Sequence, residues 1–275
     1  MVSQTKMLHV NGAEIHLWDT GKGFPIVLVH AGIAHSGMWD DQIPFLAEKF
    51  RVITYDMRGF GKSLSVPGEY AHYQDLISIL DQLKIESCVL VGCSKGGGVI
   101  LDVALSIPAR VAGLVVVAGM ADGLEMEDEP EPPPQWEEAI KAFREGDLQK
   151  TNELEMQIWV DGCNQPVGRA DKKLRDKVRK MNEIVLKNEF ALTGVTEKVL
   201  EPNAGTRLRE ISAPTLLISG SLDDPYITQA LDKMANEIPE ASHEMIRDTA
   251  HLPNMEKPKE FNALIHGFFQ KNNLF

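Results

Sequence analysis

Three observations predict an α/β fold, a mostly parallel sheet covered by helices on both faces. Short continuous apolar runs rich in Val, Ile and Leu recur at Ile26–His30, Val52–Tyr55, Cys88–Val91 and Leu114–Ala118. Runs of this length suit strands buried on both faces. Helix-length segments separate several of them, and strands that alternate with helices imply right-handed crossovers into one parallel sheet. The pattern stops after Gly119, gives way to a helical block, and resumes at Thr215–Ser219.

In chain order, Leu8–Val10 and Glu14–Trp18 flank Asn11-Gly12, the strongest short hairpin signal, and read as a hairpin at the sheet's edge. Tyr70–Lys84 carries Tyr73, Leu76, Ile77, Leu80 and Leu83 at helical spacing. Ser94–Ile107 is a second helix, stopped by Pro108. Glu125–Pro134 is acidic and proline-rich, which excludes a helix interior or a central strand; it reads as a solvated loop, with a mobile lid hinge as the alternative. Helices are expected at Trp136–Gly146, Leu148–Trp159 and Ala170–Asn188. Ser242–Ile246 is a weaker strand. Pro258–Gln270 is a closing amphipathic helix with Phe261, Leu264, Ile265 and Phe268 on one face. The expected division is a core of residues 1–121 and 205–275 with a helical insertion at 122–204.

Composition narrows the function. With 275 residues, 43% hydrophobic and 25% charged, the chain is an ordinary globular one. Lys+Arg 28 against Asp+Glu 40 gives −12, which repels phosphate backbones and argues against nucleic-acid binding. No apolar run approaches the roughly 18–20 residues that span a bilayer, and Met1–Val10 lacks the pattern of a signal peptide. Cys88, Cys93 and Cys163 supply neither a disulfide framework nor zinc spacing. The expectation is a cytoplasmic protein without metal or membrane, with homo-oligomerisation left open.

The chemistry centres on Gly92-Cys93-Ser94-Lys95-Gly96, a G-x-S-x-G string directly between a strand and a helix. That context is what the nucleophile elbow requires: Ser94 sits on a sharp strained turn, glycines at 92 and 96 avoid clashes, and the helix N-terminus faces the reacting oxygen. A phosphate loop is excluded, because Gly61-Lys62-Ser63 has no glycine five residues earlier. A serine needs a base and the base an orienting acid. Asp223 follows the Thr215–Ser219 strand and His251 follows the last strand, in the expected order Ser, Asp, His. Asp224 and Asp122 are rival acids, and His243 reads as a surface residue. The two oxyanion donors are expected to be the backbone amides of Lys95 and Gly32, with His30 a structural residue.

These features resemble the α/β-hydrolase fold superfamily over nearly the whole chain. The likeness rests on His30-Ala31-Gly32, Asp56 to Ser63, the Ser94 elbow, Gly220 to Asp223, and His251 with Glu256-Lys257-Pro258 after it. It is similar to the group of esterases, enol-lactonases, carbon–carbon hydrolases and perhydrolases with a helical cap. The resemblance implies an eight-stranded-type, mostly parallel sheet with an inserted cap that roofs the pocket, and cofactor-free hydrolysis through an acyl-enzyme. The substrate read from this is a small carboxylic ester or lactone. A carbon–carbon hydrolase of ring-cleavage products and a ligand receptor on the same fold are the alternatives. Dehalogenases and epoxide hydrolases are disfavoured, since they carry aspartate where Ser94 stands.

Two positions depart from the family. Ala31 replaces the usual glycine after the histidine, and Lys95 replaces Met, Gln, His or Trp. Lys95 reads as running along its helix into solvent; holding a substrate carboxylate or reinforcing the oxyanion is the alternative. Cys93 is expected to pack behind the elbow. Ala31 and Trp159 are the candidate pocket-lining residues, with the helical block's own core as the other place for Trp159.

Overall fold

The computed structural model describes residues 4–127 and 130–274. Residues 1–3 of the N-terminal segment, and Asp128 and Glu129 of the acidic linker, lie outside the described residues. Strand β1 (Gln4–Val10) turns back into β2 (Ala13–Gly21) through Asn11-Gly12, with φ of 44° and 83°, the left-handed geometry a tight hairpin turn demands. Then follow β3 (Pro25–Val29), α1 (Ile43–Leu46), β4 (Arg51–Tyr55), β5 (Gly68–Tyr70), α2 (His72–Gln82), β6 (Cys88–Cys93), α3 (Lys95–Ser106) and β7 (Val111–Val117). After β7 come α4 (Trp136–Arg144), α5 (Leu148–Glu155), a π-helical turn Met156–Asp161, α6 (Lys172–Ala191) and β8 (Val195–Glu197). The chain closes with β9 (Thr215–Gly220), α7 (Pro225–Glu237), β10 (Ala241–Ile246), α8 (Pro253–Glu256) and α9 (Pro258–Lys271).

Eight strands form one sheet in the order β1-β2-β4-β3-β6-β7-β9-β10. β2 pairs antiparallel with β1 and β4, and the other pairings are parallel. Successive side chains of a strand point to opposite faces, and the core divides accordingly. Val27, Val29 and Leu90 join Leu76 of α2, Ile100 of α3 and Leu231 of α7 on one side. Ile26, Leu28, Val89 and Val91 join Trp39 and the α9 residues Phe261, Ile265 and Phe269 on the other. The expected doubly covered parallel sheet is therefore observed.

Two local outcomes differ from the sequence reading. The helix expected to run to Trp159 changes character at Met156 and ends on Gly162, whose φ is 103°. The wider turn lets Arg169 donate to the carbonyls of Val160 (2.8 Å) and Asp161. The parallel ribbon of β5 and β8, with Gly68 opposite Val195 and Tyr70 opposite Glu197, was not legible either. No helix among the described residues is long and apolar enough to cross a membrane.

Candidate active site

Ser94 stands between the last residue of β6 and the first of α3, with φ 51° and ψ −116°. A non-glycine residue in such a conformation costs roughly 1–3 kcal/mol and persists only where its surroundings enforce it. Here the Ser94 amide donates to the Val117 carbonyl at 2.8 Å, and the Ser94 carbonyl accepts from the Gly97 amide at 2.8 Å. The flanking glycines are explained by close approach. A Cβ on Gly96 would press into the Val29 and His30 carbonyls, and one on Gly92 into the Gly96 carbonyl. The elbow thus packs α3 directly onto the end of β3.

His251 and Asp223 lie on neighbouring loops beyond β10 and β9. These loops are laced together: Leu222 N–H donates to the Thr249 carbonyl at 2.8 Å, and Ser221 N–H to Ile246 at 3.1 Å. Gly220 is required there, since a Cβ would run into the Thr249 and Ala250 carbonyls. His251 Nδ1 sits 2.9 and 3.0 Å from the two carboxylate oxygens of Asp223, in a pair that is almost fully buried. A carboxylate only accepts, so this pairing fixes a proton on Nδ1.

Among the described residues, the His251 ring is hydrogen-bonded to Asp223 and to neither rival acid. Asp224 caps α7 by accepting the Tyr226 amide at 2.9 Å. The Asp122 backbone carbonyl accepts from Gly205 at 2.8 Å, and the residue lines the cavity beside Ser94. His30 donates from Nδ1 to the Ala31 carbonyl at 2.8 Å and accepts the Met57 amide on Nε2 at 2.9 Å. Burial pulls its pKa down to about 4, so it is a neutral bridge. Cys93 is buried, and that burial pushes its thiol pKa well up, which keeps it unreactive beside Ser94.

Gly32 lies beside the start of α3: a Cβ there would meet the Lys95 Cβ at 3.8 Å. Ala31 is fully buried, its amide against Met38 Sδ at 3.2 Å. Trp159 packs on His251, ring centroids 4.5 Å apart, and edge-on against Trp136 at 5.7 Å. Lys95 departs from the expected course. Its ammonium does not run free into solvent but is held by Glu197 at 2.9 and 2.8 Å, because the unforeseen β8 brings that carboxylate over α3. His243 departs as well: its ring bridges Ser219 (2.8 Å) and Asp232 (2.6 Å) with its side chain only 10% exposed. The pairing of β10 with β9 brings it onto Ser219, which removes it from the open surface.

Ser94 is among the residues lining a cavity of about 610 Å³, with Lys95, His72, Asp122, Met120 and Glu197; Gly32, Ala31, Trp159, Asp223 and His251 are not part of that lining. No group of three or more His, Cys, Asp or Glu side chains among the described residues is placed to hold a metal ion.

A family model described as alpha/beta hydrolase fold matches residues 25–258. A pimeloyl-(acyl-carrier protein) methyl ester esterase of Nitrosospira multiformis is 28% identical over 265 residues, 92% of this chain and 97% of the relative. The 3-oxoadipate enol-lactonase 2 of Acinetobacter baylyi is 26% identical over 240 residues, covering 86% and 85%. Among solved structures, a thermophilic esterase from Thermogutta terrifontis superposes with a TM-score of 0.77 at 28% identity, covering 98% of this chain and 99% of that one.

Proposed function

The chain belongs to the α/β hydrolase fold family, and from that premise we propose that it is a cofactor-free serine hydrolase of small carboxylic esters or lactones. Ser94 attacks the carbonyl carbon while His251 Nε2 takes its proton. Asp223 holds the imidazole in that tautomer and stabilises the imidazolium as it forms. The amides of Gly32 and Lys95 receive the tetrahedral oxyanion. His251 then protonates the leaving alcohol, and water, deprotonated by the same imidazole, releases the acid from Ser94. Residues 122–204 act as the cap over this site on a core of residues 1–121 and 205–275, with Trp159 and Ala31 close to the reacting groups.

The observation that supports this reading most is the strained Ser94 elbow on the sheet that also carries a buried His251–Asp223 pair. The esterase and enol-lactonase names of the relatives agree with the bond type. The test is hydrolysis of p-nitrophenyl acetate, butyrate and octanoate beside Ser94→Ala. We expect the variant to keep its circular dichroism and lose about 10³-fold or more in kcat. Undiminished turnover by the folded variant would end the assignment.

A further inference from the structure

The Lys95–Glu197 ion pair beside Ser94 plays no part in the hydrolysis just described. Its side chains remain 32% and 37% exposed, and a pair in that position is weak, because water screens it and two long side chains are immobilised. Such a pair yields readily to a better partner. Behind it stands His72, whose side chain is 2% exposed and whose Nε2 lies 3.7 Å from Glu197 Oε1, beyond hydrogen-bond range. That Nε2 is buried without a hydrogen-bond partner, an arrangement that costs free energy in a folded protein. Burial first, and then the nearby Lys95, holds His72 neutral, well below the usual histidine range. All three residues line the same cavity as Ser94.

The other charged groups around that cavity are already settled or weakened. Lys198 pairs with Glu69 at 2.9 Å. Burial pushes Asp102 up to about 7, which weakens its negative charge near neutral pH, and burial also raises Asp122 above the usual carboxylate range. Lys95 is thus the cation nearest the reacting serine among those lining the cavity, and a carboxylate of the protein sits on it.

We propose that Lys95 and His72 form a carboxylate-binding subsite, occupied by Glu197 as an internal stand-in, and that the preferred substrate is an ester or lactone bearing a free carboxylate. The substrate's acid group displaces Glu197, keeps the charge-assisted contact to Lys95 Nζ, and accepts from His72 in the tautomer protonated at Nε2. Lys95 directly follows Ser94 and lines the same cavity, so a substrate that reaches both carries its acid and its ester on one small frame. Half-esters of short dicarboxylic acids have that shape. The inference rests on the serine-hydrolase reading and names the substrate class of that site.

The experiment compares kcat/KM for monomethyl and dimethyl glutarate in the wild type, Glu197→Gln and Lys95→Met. Glu197→Gln, which removes the internal competitor, should raise the monoester-to-diester ratio about tenfold, and Lys95→Met should lower it about tenfold, both mainly through KM. A ratio that stays within about twofold in either variant overturns the subsite. Calorimetric binding of glutarate itself reads the same contacts without turnover: tighter in Glu197→Gln, lost in Lys95→Met. No glutarate binding to any of the three proteins also overturns it. If glutarate follows the predicted pattern while no ester is hydrolysed, the subsite stands and the hydrolase reading falls. If dimethyl glutarate is cleaved with dependence on Ser94 but neither ratio nor binding responds, the hydrolase reading stands and the subsite falls.

Discussion

Trp159 holds His251 twice: its carbonyl accepts the His251 amide at 3.2 Å, and its indole lies on the imidazole with centroids 4.5 Å apart. The π-helical turn carrying Trp159 is itself anchored by Arg169, which reaches Glu256 at 2.7 Å, while Glu256 accepts the Ala250 amide at 2.5 Å next to His251. The helical segment after β7 and the histidine loop are therefore one mechanical unit. With His251 as the proposed base, Trp159→Ala should keep the fold and lower kcat by about ten- to a hundredfold, because a small misplacement of that ring is costly. Steady-state kinetics on p-nitrophenyl butyrate checks this, and an unchanged kcat would show that the contact does not position the base.

The adjacent acids should separate cleanly. Asp223→Asn loses the carboxylate that fixes His251 and should reduce kcat by about 10³–10⁴-fold. Asp224→Asn keeps a good helix cap and should leave kcat within a few-fold, whereas Asp224→Ala should cost about 1 kcal/mol of stability. Parallel kinetics and urea unfolding of the three variants distinguish the roles. A larger kinetic loss at 224 would move the acid by one residue.

Close backbone approach at the elbow makes a stability prediction. Gly96→Ala forces a methyl group against two carbonyls of β3 and its turn, and should cost about 3 kcal/mol or more. Gly32→Ala places its methyl at an ordinary 3.8 Å from Lys95 and should shift stability by less than about 1 kcal/mol. Denaturant midpoints read both, and equal losses would mean the elbow relaxes more than its contacts allow.

Glu155, on the buried side of α5, accepts from Asn182 at 2.5 Å, and burial pushes its pKa up to about 7. Its folded pKa lies above its unfolded one, so the folded state holds the proton longer. Stability from this group is complete below about pH 4.5 and declines as pH rises through about 7. Glu155→Gln, which cannot ionise, should therefore gain about 2 kcal/mol over wild type at pH 8 and little at pH 4. Urea unfolding at both pH values gives the difference, and a gain that is equal at the two would point away from ionisation.

The parts of the fold that were legible are those where one residue type answers one steric demand. Asn11-Gly12 supplies two left-handed residues to a hairpin, and the glycines at 92 and 96 admit carbonyls where a Cβ has no room. Continuous apolar runs marked the central strands because both faces of the sheet are covered. By contrast, β5 and β8 are three residues each and mostly polar or glycine, so neither periodicity nor hydrophobicity marks them. Missing them concealed Glu197 and, with it, the partner of Lys95. Asp223 and Asp224 occupy one loop and differ only in which way each carboxylate turns, information that spacing does not carry. The π-helical turn at Trp159 depends on Arg169 and the His251 loop, both distant in sequence from Met156.

Acylation of Ser94 is the step on which the proposed chemistry turns. Rapid acid quench of the enzyme mixed with p-nitrophenyl butyrate, followed by intact-mass and peptide-level mass spectrometry, tests it directly. A transient mass increase of one butyryl group is expected on the peptide containing Ser94, and none in Ser94→Ala. Continued turnover by Ser94→Ala, or an acyl group carried on another residue, would contradict it.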